Sequence, residues 1–256
     1  MSGWGGSGAA YARSYASLCA GTNDAIVSSL GPAASRTLLD AGSGTGTLAG
    51  ALTDTGWRVT GCEPEPTMRE VSQAQYPSVD VVDGALPALP FESASFDAVT
   101  ANFVLNHVPD PRAAAAEAAR VAAPDGVLLA TIWTATPSWF WSAVYERGAL
   151  EPLAGARLPE SLDFDRTASG FGQMLRDGGW RDVEVSELEW TWRPAPAMLW
   201  ASVTGGIASV GSSYLMLDES GRARFRRAFD SICGAHAVDG VVALDYTAAI
   251  AVGLAG

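Results

Sequence analysis

Short apolar runs alternate with helix-like segments through the first half of the chain. Five runs have the length and composition of buried strands, at 37–41, 58–63, 79–83, 96–101 and 126–133. Three intervening segments have helical composition, at 47–55, 66–75 and 110–123, and the last two carry a proline that suits the first turn of a helix. This alternation predicts an α/β fold with a parallel, doubly wound sheet and helices on both faces.

The pattern changes on either side of this region. Residues 9–30 predict a helix or a helix pair, ended by Gly31-Pro32. After Trp133, residues 134–165 are rich in aromatics, proline and glycine, and residues 194–239 are mostly helical in pattern. Between and after these segments, a helix at 167–177 and strands at 182–192 and 241–252 resume the alternation. We therefore predict one domain with two insertions.

Composition and charge narrow the range of partners. The chain is 48% hydrophobic and 17% charged, which is typical of a globular protein. Its formal charge is −12, and all 16 of its cationic residues are arginines. Such a surface repels phosphate backbones, so we expect no nucleic-acid partner. The composition does not exclude small molecules, and it does not indicate an oligomeric state.

Cysteine spacing and hydropathy indicate a compartment. Three cysteines without a CxxC spacing predict neither a disulfide framework nor a metal site, and they favour a reducing cytoplasm. The first residues lack the basic and apolar regions of a signal peptide, and no apolar run has the length of a membrane span. We expect a cytoplasmic protein with no membrane partner.

A glycine-rich loop follows the first strand and gives the strongest indication of a binding site. The segment 38–46 reads LLDAGSGTG, so a strand ends in Asp40 and three alternating glycines follow. Glycines at this spacing let the backbone turn tightly and approach a ligand closely. A dinucleotide-binding turn would need a third glycine where Thr47 stands. A carboxylate directly before the loop would also repel a pyrophosphate, whereas it suits a ligand with an ammonium group.

The second strand also ends in an acid. Glu63 lies about 20 residues after the glycines, where doubly wound folds place a carboxylate that accepts both hydroxyls of a ribose. The alternative interpretation is a solvated acid at a strand end. The glycine loop upstream favours the ribose interpretation.

With these features, the chain resembles the class I S-adenosylmethionine-dependent methyltransferases, and closely the small-molecule branch with the ubiquinone and menaquinone biosynthesis enzymes. The resemblance extends over about 11–252 and is most specific over 38–133. Its further motifs are GCEP at 61–64 with Met68, ALPF at 88–91, SFD at 95–97, NFVLNHVPD at 102–110 and PDG at 124–126. It implies a Rossmann-like, seven-stranded sheet with an antiparallel last strand.

The resemblance also implies the residues that hold the cofactor. Those at the methionine and reaction end would be Asp40, Gly42, Ser43, Gly44, Gly46, Asn102 and Phe103. Glu63 would bind the ribose and Met68 would pack on adenine. An acid before the Leu-Pro-Phe motif usually recognises the adenine amine. Here Asp83 is one alternative, and the backbone of Ala85 and Leu86 is the other.

The implied reaction moves the methyl group of S-adenosylmethionine to an O, N or C nucleophile of a small, fairly apolar molecule. The single domain would then consist of a helical lid at 1–36, a cofactor-binding core at 37–133 and substrate-side insertions at 134–165 and 194–239. Two other functions remain open. An NAD(P)-dependent oxidoreductase would share the fold but needs a different glycine turn, and a non-methylating S-adenosylmethionine-binding protein would keep the same motifs.

A few further residues have both a functional and a structural interpretation. His107 could act as a general base because its ordinary pKa is near neutral, or it could pack or cap at a helix start. Tyr11 and Tyr15 could close over the cofactor with a ring near the sulfonium, or serve only as helix packing. We also expect the two insertions to cover the acceptor with part of an aromatic set that consists of Trp139, Phe140, Trp141, Trp200 and Tyr214. Residues 139–141 are consecutive, so they cannot all face inward on one element.

Overall fold

A computed structural model describes residues 5–31, 33–153 and 158–256. Its strands are β1 (Thr37–Ala41), β2 (Arg58–Cys62), β3 (Asp80–Val82), β4 (Phe96–Asn102), β5 (Ala122–Ala135), β6 (Arg181–Trp192), β7 (Ala237–Val238), β8 (Val241–Val242) and β9 (Leu244–Leu254). Seven of them form one sheet in the order β3-β2-β1-β4-β5-β9-β6, and β7 pairs with β8 in a hairpin. Strand β9 is antiparallel to both β5 and β6, while the other pairs in the large sheet are parallel. The predicted seven-stranded sheet with an antiparallel last strand is confirmed.

Eleven α-helices lie in the described part of the chain. They are α1 (Gly8–Ala12), α2 (Tyr15–Cys19), α3 (Asn23–Leu30), α4 (Thr47–Asp54), α5 (Pro66–Gln75), α6 (Pro111–Val121), α7 (Ser138–Gly148), α8 (Ala168–Asp177), α9 (Pro196–Thr204), α10 (Ala208–Met216) and α11 (Glu219–His236). None of the described helices is long and apolar enough to cross a membrane. Proline opens α5 and α6 as predicted, and acidic side chains at Glu65 and Asp110 cap them.

Some predicted boundaries are wrong. The expected helix or helix pair at 9–30 is three short α-helices, with a 3-10 turn at Ala20–Thr22 between the second and the third. The first two are separate because Ser14 leaves the helical backbone and its hydroxyl bonds to the carbonyl of Ala10. Strand β5 begins at Ala122, earlier than predicted, and Asp125 takes a positive φ where the pairing with β4 shifts register. The last predicted strand is divided between β8 and β9.

The strand register brings several carboxyl ends to one edge of the sheet. Ala41 pairs with Cys62, and Asn102 pairs with Thr131 on β5. Strand β9 runs in the opposite direction, so its amino end meets the same edge, where Thr247 pairs with Ala135. In doubly wound sheets, ligands bind outside this edge.

Helices from the second half pack into a separate aromatic cluster beside the sheet. Phe140 of α7 and Phe225 and Phe229 of α11 are fully buried within it, together with Leu199 of α9. The cluster holds the starts of α7 and α10 near the carboxyl edge, where residues 137–138 and 208–209 line a pocket.

Candidate active site

The backbone conformation of the loop after β1 explains its three glycines. Gly42, Gly44 and Gly46 all have positive φ, at 75°, 55° and 81°. A Cβ on Gly42 would lie 2.5 Å from Cγ2 of Val104, which is too close. Glycine is therefore needed at this position both for the positive φ and for the lack of a side chain. The amide of Gly42 donates to the carbonyl of Cys62 at 2.7 Å and fixes the loop against the end of β2.

The side chain of Asp40 is buried at the base of this loop. It is 2% exposed and accepts a hydrogen bond from the Thr100 hydroxyl at 2.8 Å. Burial raises the pKa of Asp40 to about 7 although this hydrogen bond opposes the shift. A cavity of about 50 Å³ lies beside it and is also lined by Asn23, Ser43 and Asn102. A carboxylate in this position suits a buried ammonium group.

Glu63 follows β2 and faces the same loop. Its two carboxylate oxygens accept backbone hydrogen bonds from Gly44 and Glu65, each at 3.0 Å. Burial raises its pKa, and the two backbone donors oppose this shift. Glu63 also lines a second, larger cavity of about 610 Å³. The residue is only 8% exposed, so the interpretation as a solvated surface acid is wrong. Its position and chemistry match a group that accepts paired hydroxyls.

The two alternatives for adenine recognition, Asp83 and residues 85–86, lie in different places in the structure. Met68, Ala85 and Leu86 line the larger cavity. The Asp83 side chain is 71% exposed and forms an ion pair with Arg69 at 3.1 Å. It is not among the residues that line the cavity. Of the two alternatives, residues 85–86 therefore lie at the cavity, whereas Asp83 does not line it.

The larger cavity continues from these residues to a wall of aromatic side chains. That wall consists of Tyr15, Phe103, Trp133, Trp141 and Tyr246. The rings of Phe103 and Trp133 stack with centroids 3.9 Å apart, and Tyr246 lies 5.1 Å from Trp133. One cavity therefore joins a polar end near Glu63 to an apolar end.

Two of these wall residues were not predicted from the sequence. Trp133 lies towards the carboxyl end of β5, and the rule that ligands bind at this edge could have identified it. Tyr246 lies near the start of β9, and only the antiparallel pairing brings it to the same edge. Its position could not be read from local sequence.

Part of the aromatic set of the two insertions lines the cavity, as expected, but that part is a single residue. Trp141 alone of the five lines the cavity. Phe140 is fully buried against Phe229, and Trp139 is 42% exposed beside His236. Trp200 and Tyr214 pack on Phe225 in the helical cluster. Consecutive residues of a helix point to different faces, so residues 139–141 could not all reach one site.

His107 lines the apolar half of the larger cavity. Its Nε2 lies 3.1 Å from Nδ2 of Asn106. His107 is exposed to solvent on one side. On the other side the surrounding protein desolvates its imidazole, and this lowers its pKa. The alternative role as a helix cap belongs instead to Asp110, which accepts from the amide of Ala113 at the start of α6.

Tyr11 and Tyr15 lie close to the loop, on α1 and α2. Both line the larger cavity, and Tyr11 also lines the smaller one. The Tyr11 hydroxyl donates to Sγ of Cys19 at 3.3 Å, and burial raises the pKa of both tyrosines. The two rings are therefore neutral apolar surfaces against the site, and Tyr15 also packs edge-on against Trp192.

Comparison with known proteins identifies the family. Residues 39–130 match the family described as Methyltransferase domain. A demethylmenaquinone methyltransferase of Renibacterium salmoninarum is 31% identical over 175 residues, which cover 64% of this chain and 74% of that protein. One from Beutenbergia cavernae is 33% identical over 177 residues, with 64% and 73% covered.

Solved structures share the fold at lower identity. The YcgJ protein of Bacillus subtilis has a TM-score of 0.58 at 18% identity, covering 91% of this chain and 97% of that one. Phosphoethanolamine N-methyltransferase 2 of Haemonchus contortus, solved with S-adenosyl-L-methionine, has a TM-score of 0.52 at 18% identity, covering 91% and 52%. The resemblance found in the motifs is confirmed, and the oxidoreductase alternative is not supported. This chain belongs to the class I S-adenosylmethionine-dependent methyltransferases.

Proposed function

We propose that this methyltransferase acts on a small, largely apolar acceptor, which binds in the aromatic half of the larger cavity. The observation that supports this most strongly is the continuity of the cavity. One space of about 610 Å³ is lined by Glu63 and Met68 at one end and by Trp133, Trp141 and Tyr246 at the other. A cavity of this size and lining is typical of small-molecule sites.

The residues at the polar end fit S-adenosylmethionine. Asp40 offers a buried carboxylate to an ammonium group, and Glu63 offers two oxygens to the ribose hydroxyls. The Ser43 hydroxyl is buried without a hydrogen-bond partner among the described residues, and it lines the cavity beside Asp40. Met68 and the backbone at 85–86 would hold the adenine. When bound, the cofactor supplies a methyl group already activated by a sulfonium.

The protein must therefore align the acceptor and keep water away from it. The aromatic wall suits both tasks, since its rings present large apolar surfaces. Among the described lining residues, Asp and Glu occur only at the polar end, as Glu63 and Glu65, and no Lys or Arg lines the cavity. A charged acceptor would lose its hydration at the apolar end without an ion partner there. We infer an uncharged acceptor, and the names of the relatives make menaquinone precursors the first compounds to test.

His107 is proposed as the group that takes the proton of an acceptor hydroxyl. It lines the same half of the cavity as Trp133 and Trp141. Its lowered pKa keeps the imidazole neutral at pH 7, which is the form that accepts a proton.

Different segments of the chain would have different functions. Residues 1–36 would act as the lid, 37–133 would bind the cofactor, and 134–165 and 194–239 would contact the acceptor through residues such as Trp141 and Ser209. The net charge of −12 disfavours a nucleic-acid acceptor. A cytoplasmic location remains part of the same proposal.

The experiment is a methylation screen with isotope-labelled cofactor against uncharged and charged small molecules, read by mass spectrometry. Trp141→Ala should raise the acceptor KM several-fold and leave the affinity for S-adenosylhomocysteine unchanged. Trp139→Ala is the matched control, because Trp139 lies on the same helix and does not line the cavity. Preferential methylation of charged acceptors, or equal effects of the two variants, would contradict the proposal.

A further inference from the structure

The carboxyl ends of β4 and β5 are joined by a network of hydroxyl groups between the two halves of the site. We propose that Thr131 is a positioning residue, whose hydroxyl fixes the Asn102 amide towards the cofactor and holds the backbone of Phe103. Thr131 lies on β5 and is fully buried. It is not among the residues that line either cavity, so it would act only through its neighbours.

The Thr131 hydroxyl has one donor and one acceptor beside it. It accepts a hydrogen bond from the amide of Phe103 at 2.8 Å. It donates to Oδ1 of Asn102 at 2.6 Å. A valine in its place would keep the shape of the side chain and remove both bonds.

The same oxygen of Asn102 has a second partner. Thr22, also fully buried, shares its hydroxyl proton between Oδ1 of Asn102 at 3.0 Å and the carbonyl of Cys19 at 2.9 Å. Two hydroxyl groups therefore hold Oδ1 within the protein. We infer that the Nδ2 group, which carries the two amide hydrogens, is the part of the amide offered to a ligand.

Asn102 lies where the two cavities meet. It lines the small cavity beside Asp40 and also the large cavity beside Phe103. An amide donor at this junction can bond to an acceptor oxygen of the methionine portion of the cofactor. Without Thr131 the amide could rotate and present Oδ1 instead, which is an acceptor and cannot make that bond.

Phe103 is the second group that the hydroxyl holds. Its backbone is in the left-handed region at φ 57°, a conformation that is costly for a residue with a side chain. The hydrogen bond from its amide to Thr131 stabilises this turn. The turn places its ring on Trp133, with an interplanar angle of 10°. The Thr131 hydroxyl therefore orients the Asn102 amide on the cofactor side and supports the Phe103–Trp133 ring pair on the acceptor side.

This inference rests on the proposed roles of the site residues, and its test measures cofactor binding so that it does not depend on the acceptor. Calorimetry with S-adenosylhomocysteine would compare the wild type, Asn102→Ala, Thr131→Val and the double variant. We expect each single variant to raise Kd about tenfold and the double variant to bind no more weakly than Asn102→Ala. Thr131→Ser keeps the hydroxyl and should bind nearly as tightly as the wild type. Near-ultraviolet circular dichroism of the free protein should change in Thr131→Val, because the ring pair at Phe103 loses its support.

The outcomes separate a positioning role from a purely structural one. If Thr131→Val lowers the melting temperature but leaves Kd unchanged, or if the two losses are additive, the proposal is wrong. If Thr131→Val does not fold, the cycle is repeated with Thr22→Val, which must show the same coupling to Asn102. Failure to find an apolar acceptor would count against the proposed function and would leave these binding results unaffected.

Discussion

The buried carboxylate of Asp40 makes cofactor affinity depend on pH. Burial raises its pKa to about 7 in the cofactor-free chain, whereas an ammonium group requires the ionised form. Below pH 7 a proton must leave before the ammonium can bind. Affinity should therefore fall by about tenfold for each pH unit below 7, and Kd for S-adenosylhomocysteine should be about tenfold higher at pH 6 than at pH 8.

The same carboxyl group lowers the stability of the free chain as pH rises. Its pKa is raised from 3.8 to about 7 by folding, so between these values the folded chain holds a proton that the unfolded chain has released. Its stability contribution is greatest below about pH 4 and is lost as pH rises through 7. A pKa difference of about three units between the folded and unfolded chain corresponds to at most about 4 kcal/mol in the free energy of unfolding. Asp40→Asn should therefore be more stable than the wild type at pH 8, while it binds the cofactor more weakly.

Calorimetry at pH 6, 7 and 8 and thermal unfolding at the same pH values measure both effects. The hydrogen bond from Thr100 can be kept by the asparagine, so the variant changes mainly the charge. In Asp40→Asn the binding step near pH 7 should disappear. A wild-type Kd that is constant from pH 6 to 8, or an unchanged slope in Asp40→Asn, would refute the reasoning.

Three other predictions concern single residues of the site. Glu63→Gln should weaken S-adenosylhomocysteine binding at least several-fold, since a charge-assisted hydrogen bond is worth about 1.5–3 kcal/mol; unchanged affinity by calorimetry would remove its ribose role. Gly42→Ala should reduce cofactor affinity strongly because its Cβ would clash with a neighbouring side chain, whereas Gly240→Ala, also at positive φ but with open space, should affect only the melting temperature. His107→Gln should lower kcat about 10²-fold with little change in cofactor Kd, and a rate equal to the wild type would exclude a proton-transfer role.

The central part of the fold could be predicted because its signals are local. The strand at 37–41 and the helix at 66–75 were predicted with the observed bounds. A strand covered on both faces is a short apolar run, and a proline marks where a helix can begin. The N-terminal helices were predicted less well, because the break at Ser14 depends on a hydroxyl that competes for the backbone.

The two ends of the site also differ in how far the sequence could predict them. Asp40 and Glu63 are found from the ends of consecutive strands and the glycines between them. The aromatic wall is built from segments far apart in sequence, and Tyr246 reaches it only through the antiparallel pairing of β9. Which of residues 139–141 faces the cavity depends on how α7 packs on α11. The role of Thr131 depends on distances of a few ångströms across two strands, which no local pattern contains.

A crystal structure of the chain with S-adenosylhomocysteine tests the central claim most directly. We expect the ammonium at Asp40 and the ribose hydroxyls on Glu63. We expect the sulfur beside Asn102, with its open side towards Trp133 and Trp141. A ribose bound away from Glu63, or a sulfur directed away from the aromatic half of the cavity, would contradict it.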